Sequence, residues 1–148
     1  MEDLLKNAKE NAMNKLEREK DMINSLVTEG VMTGSRVFFG RVGRKTDYDY
    51  IVLPGLYEDI FNRVKYNVID GNPNYKGGLK LELDGKKYDV WAMPDLIYAR
   101  MVNDCMKILE DNYGLLSKIG KDEYCKLFAI FTATLEGLMD EKNVEWVK

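Results

Sequence analysis

The sequence predicts a single α+β domain in which a small mixed β-sheet has helices packed on one face. Three observations predict it. Apolar residues recur at three-to-four spacing at both ends of the chain, short alternating or β-branched runs lie between them, and 148 residues with 45% apolar content suffice for one core.

Residues 2 to about 28 carry Leu4, Leu5, Ala8, Ala12, Leu16, Ile23, Leu26 and Val27 at helical spacing among Lys and Glu. This predicts an amphipathic helix with one face on the core. Glu29-Gly30 ends it, and Val31-Met32-Thr33 reads as a short strand entering Gly34-Ser35. Residues 36–46 read as a basic, glycine-containing loop. The run 47–53 combines aromatic and β-branched residues and stops at Pro54-Gly55, as a central strand does. A helix over 56–66 follows, with Ile60, Phe61 and Val64 as its stripe, and a loop covers 70–78. Leu79 to Leu83 alternates strictly, Asp84-Gly85 is a type I′ turn pair, and residues 86–93 return, so a β-hairpin is predicted. Pro94-Asp95 opens a helix to about Gly114, with Leu96, Ile97, Met101, Cys105, Ile108 and Leu109 inward. A last helix spans about 122–140, with Leu127, Phe128, Phe131, Leu135 and Leu138 inward.

Composition restricts the chemistry. The sequence contains no histidine, which removes His-based triads, the usual His-containing zinc sites and the commonest general base. Any reaction must use carboxylates, Lys, Tyr, Ser or Cys. Cys105 and Cys125 are far apart in helical stretches and predict two reduced, partly buried thiols rather than a disulfide or a metal knuckle. A net charge of -3 argues against a surface built wholly for duplex nucleic acid, although a local basic patch fits. The charged N-terminus lacks a signal-peptide core, and no apolar run is long enough for a membrane span; a cytoplasmic protein is expected.

The residues that carry chemistry are acidic. Asp47 and Asp49 are two apart on a predicted strand, so both project to one side, where they repel unless a cation, a basic partner or water stabilises them. Upstream, Gly34-Ser35 offers a turn where backbone approaches closely and a hydroxyl can meet phosphate, although a plain turn has the same signature. Downstream, Asp89 interrupts a strand that otherwise wants apolar residues, on the opposite side from Tyr88 and Val90. Three carboxylates, a Gly-Ser turn and the cations Arg36, Arg41, Arg44 and Lys45 together describe a site for magnesium and a triphosphate. The Arg41, Arg44 and Lys45 cluster also fits a solvated loop. Tyr48, Tyr50, Tyr88 and Trp91 are read as core, and Glu58, Asp59 and Glu82 as surface charge.

Thr33-Gly34-Ser35-Arg36-Val37-Phe38-Phe39-Gly40, then Thr46-Asp47-Tyr48-Asp49-Tyr50-Ile51-Val52, then Tyr88-Asp89-Val90 resembles the Gly-Ser, Asp-X-Asp and third-Asp motifs of polymerase-β-like nucleotidyltransferases. The likeness is to the small stand-alone viral and prokaryotic type and covers residues 31–93. It implies one nucleotidyltransferase-like domain over 1–148, with a catalytic core of about 30–93 and two C-terminal helices over about 94–142. The resemblance also implies the site: Gly34, Ser35 and nearby amides on the phosphates with Arg36, Arg44 and Lys45, and Asp47, Asp49 and Asp89 on Mg2+ or Mn2+. Asp89 would further serve as base toward the acceptor. Four residues separate Ser35 from Gly40, where the family has three, and this departure bears on Arg36. The implied activity moves NMP from an NTP, ATP first, to a hydroxyl or phosphate on a protein, small molecule or RNA end, releasing pyrophosphate. A non-catalytic nucleotide- or protein-binding regulator of the same fold is the alternative, and the C-terminal helices could supply an acceptor pocket or a homodimer interface.

Overall fold

The computed structural model describes residues 2–40, 47–70 and 78–139. In chain order the elements are α1 (Glu2–Glu29), β1 (Val31–Thr33), α2 (Ser35–Phe38), β2 (Tyr48–Val52), α3 (Pro54–Val64), a 3-10 turn (Lys65–Asn67) and β3 (Val68–Asp70), followed by β4 (Leu79–Leu83), β5 (Lys86–Ala92), α4 (Leu96–Tyr113), α5 (Leu115–Ile119) and α6 (Lys121–Met139). The fold is α+β.

The strands form one mixed sheet in the order β1-β2-β5-β4-β3. β2 and β5 run parallel at its centre, and the other neighbours are antiparallel. The β4-β5 hairpin turns through Asp84 at φ 50 and Gly85 at φ 75, the pair of positive values a type I′ turn requires. Leu79, Leu81 and Leu83 alternate with exposed neighbours and are fully buried, each stabilising the fold by roughly 2 kcal/mol.

Helices cover both faces of the sheet, which corrects the one-face expectation. Tyr50, Val52, Tyr88 and Val90 face Met22 and Leu26 of α1 and Tyr57, Ile60 and Val64 of α3. Ile51, on the opposite face, packs with Met93, Tyr98 and Ala99 and borders Phe128 and Leu135. A third cluster joins Phe38 of α2 to Val102, Met106, Leu116 and Tyr124. A sheet whose central strands are apolar on both sides has to be covered on both sides.

Several elements differ from the sequence reading. In α1 only Met22 and Leu26 are buried, while Leu4, Leu5, Met13 and Leu16 are exposed. The basic loop begins with the short helix α2, and its remainder, with Arg41, Arg44 and Lys45, lies outside the described residues. The stretch before residue 70 supplies the edge strand β3, whereas most of the predicted loop at 70–78 again lies outside the described residues. Among the described residues three helices, not two, follow the hairpin. α4 is capped as predicted, the Asp95 side chain accepting from the Ile97 amide and Gly114 ending the helix at φ 59. Its buried side is nevertheless Tyr98, Ala99, Val102, Asn103 and Met106, and the predicted inward residues Ile97, Met101, Cys105 and Ile108 are exposed. Asn103 explains the rotation. Its amide donates to the Met32 carbonyl at 2.8 Å and its side-chain oxygen accepts from the Thr33 hydroxyl at 2.6 Å, tying α4 to β1. Among the described residues no helix is long and apolar enough to cross a membrane.

Candidate functional site

The sheet pairing brings the acids together. Asp49 of β2 stands beside Asp89 of β5 in register, with Thr33 of β1 flanking Asp49 and Lys80 of β4 flanking Asp89. Both carboxylates lie on the face opposite Tyr50, Tyr88 and Val90, as alternation requires. Asp47 immediately precedes β2 and reaches the same group: side-chain hydrogen bonds join Asp89 to Asp49 and to Asp47.

Two carboxyl groups can share a hydrogen bond only when one holds a proton. Asp49 holds it, since burial first, then the negative charge and hydrogen bond of Asp89 and the charge of Asp47, push its pKa up to about 7, against some relief from Lys121. Asp89 is raised as well, by burial and then by Asp47, with Lys80 opposing. Among the described residues, burial and the neighbouring acids outweigh the opposing charges of Lys121 and Lys80. Among the described residues none of the three acids forms a salt bridge.

The Gly34-Ser35 turn abuts this cluster. Gly34 adopts φ 80, and a Cβ built on it would stand 1.9 Å from Asp49 Oδ2, so only glycine permits the approach. Ser35, half-buried, opens α2 directly beyond it. No family model matches the chain, and neither does any curated protein or solved structure.

Arg36 lies over the aromatic side of the sheet. Its guanidinium lies 3.9 Å above the centroid of the Tyr48 ring, which in turn stacks on Tyr88 at 5.2 Å. That stack belongs to the α1 and α3 face, opposite the acids, so the structure does not bring Arg36 to them. Tyr88, pushed up to about 12 chiefly by burial, stays protonated there. These tyrosines are core, as read from the sequence.

The residue that sequence reasoning missed is Lys121. It opens α6, and its charge acts on both Asp49 and Cys125 one turn further along the helix. No sequence signal marked it, because α6 lies more than thirty residues from the acids along the chain. Among the described residues no set of three or more His, Cys, Asp or Glu side chains stands, as placed, ready to hold a metal ion. Two surface clefts, one along Glu29, Leu56 and Asn62 and the other along Leu115, Leu127 and Ile130, involve none of the three acids.

Proposed function

We propose that the chain is a metal-dependent nucleotidyltransferase of the polymerase-β-like kind, transferring NMP from an NTP, ATP first, to an acceptor hydroxyl or phosphate. The observation that carries this reading is the convergence of Asp47, Asp49 and Asp89 against the Gly34-Ser35 turn. Clustered carboxylates whose pKa is raised by burial and by one another have the oxygen-donor chemistry of a Mg2+ or Mn2+ site. Asp47, Asp49 and Asp89 would be the residues that hold the ion. When bound, the metal would neutralise charge on the phosphate oxygens during displacement.

The chain's own residues then divide the work. Asp47 and Asp49 would hold the metal, and Ser35 would meet the phosphates. Asp89 would also hold metal, and it takes the proton of an acceptor hydroxyl as that oxygen bonds to the α-phosphorus. The bond from that phosphorus to the bridging oxygen breaks, and pyrophosphate leaves. Two exposed free thiols, Cys105 and Cys125, fit a cytoplasmic site of action.

The second reading, a nucleotide-binding regulator without turnover, is favoured by two observations: Arg36 is engaged on Tyr48, and the acids pair with one another rather than forming a ready metal cage. Calorimetric ATP binding with Mg2+, beside pyrophosphate release with cell extract as acceptor source, separates the two. Asp89→Asn should bind ATP nearly as wild type does while release falls by about 100-fold or more, since base and ligand are both lost. Background release from both proteins, with binding intact, would reject the transferase and leave the regulator.

A further inference from the structure

α1 leaves the body of the molecule partway along its length. Its last turns are held: Met22 and Leu26 are buried, Ile23 packs beside them, and Glu19 accepts from the Asn67 side-chain amide. Residues 2–18 are all exposed, a helical stretch about 25 Å long. The apolar residues do not stop where the contacts do. Leu4, Ala8, Ala12 and Leu16 recur every four residues with Leu5 beside them, so one row runs along this half and leads into the side that Met22 and Leu26 bury. Leu4 and Leu5 are 73% and 60% exposed. A continuous apolar row rimmed by charge is the mark of a surface that another body covers.

Two properties of the row select that body. Leu4, Ala8, Ala12 and Leu16 read the same in both directions, so reversal about Glu10 sets Leu4 against Leu16 and Ala8 against Ala12, the self-complementarity that a two-fold contact requires. The alanines let the two helices approach at the centre, and the leucines close both ends. The charges are self-complementary in the same sense. Residues 2–20 carry five acids and five bases, and the same reversal lays the acidic first turn, Glu2 and Asp3, beside Arg18 and Lys20. A membrane surface would instead select an excess of Lys and Arg on the polar side.

We propose that residues 2–20 of α1 pair antiparallel with the same residues of a second copy of this chain. The contact is one helix wide and about 25 Å long, which falls below the roughly 1,200 Å² of total buried surface of a standard interface. The dimer is therefore weak, with a dissociation constant on the order of 10–100 μM. So weak a pair leaves the thermal stability of dilute protein nearly unchanged.

Sedimentation of the full chain between about 1 and about 500 μM tests the pairing. The mass should rise with concentration toward that of two chains. Ala8→Glu and Leu16→Glu should each stay monomeric, with the helix content and melting temperature of dilute protein unchanged, while Ile130→Glu, on the exposed side of α6, should associate as wild type does. Reversing one end alone, by Glu2→Lys with Asp3→Lys, should weaken association about tenfold at low salt. Adding Arg18→Glu and Lys20→Glu should restore it, because an antiparallel pair then meets opposite charges again. A wild type that stays monomeric throughout would overturn the proposal, and binding of that monomer to vesicles of anionic lipid would assign the row to a membrane surface instead. Association kept by Ala8→Glu and Leu16→Glu, or lost in Ile130→Glu, would also overturn it. No rescue by the exchange at both ends would reject the antiparallel arrangement.

Discussion

Asp49 gathers burial, two neighbouring acids and a glycine-lined contact on one carboxyl, and its titration follows from that crowding. Its pKa near 7, against an ordinary 3.8, means that the folded protein binds a proton which the unfolded chain has already released over that range. Folding is therefore favoured at low pH by this group, and the contribution is lost as pH rises from about 4 through about 7. For a half-buried, partly screened group the loss is on the order of 2 kcal/mol. Asp49→Asn should flatten that decline, stay folded at pH 8 with equal or higher stability, and lose metal-dependent transfer. Urea unfolding at about pH 5 and about pH 8 checks it, and a variant as steeply pH-dependent as wild type would contradict the account. At this scale the acids and Gly34 were legible from residue type and spacing. Arg36 and Lys121 were not, because long side chains go where tertiary neighbours put them.

Between residues and molecule, α4 shows where helical periodicity misleads. Its ends follow local rules, Asp95 capping the start and Gly114 the finish. Its buried side does not, since Asn103 is turned inward to meet Thr33 and the Met32 carbonyl, and the apolar row Ile97, Met101 and Ile108 is left outside. A polar residue with two good partners costs little to bury, so apolarity alone cannot choose the face. Met106→Ala should accordingly destabilise by about 2–5 kcal/mol, while Ile108→Ala stays within about 0.5 kcal/mol of wild type. Denaturant midpoints decide this, and equal losses at the two positions would restore the predicted stripe. The short helix α2 and the edge strand β3 went unseen for a related reason. Four and three residues are too few for a period to show, and β3 is defined by its pairing with β4.

Across the whole molecule, the parallel β2-β5 pair at the centre of the sheet turns three acids from distant stretches into one cluster. The same arrangement leaves the N-terminal part of α1 outside the body. Residues 2–18 are all exposed, and the helix is anchored through Met22 and Leu26. Removing residues 2–14 should therefore shift the stability by no more than about 1 kcal/mol and leave ATP binding unchanged, because almost no buried apolar surface is lost. Thermal unfolding of the shortened chain measures this, and cooperative unfolding lost altogether would mean that this stretch belongs to the core.

What the sequence by itself determined is local: the hairpin at Asp84-Gly85, the alternation of Leu79, Leu81 and Leu83, the caps of α4, and the common face of Asp47 and Asp49. Each depends on residues a few positions apart, whose geometry the backbone imposes wherever the segment lies. Only the tertiary structure decided that Asp89 stands in register with Asp49, that helices cover both faces of the sheet, and that the charge of Lys121 is felt at Asp49. Those outcomes depend on which apolar surfaces meet across long loops, and burial is non-directional, so spacing along the chain does not specify it.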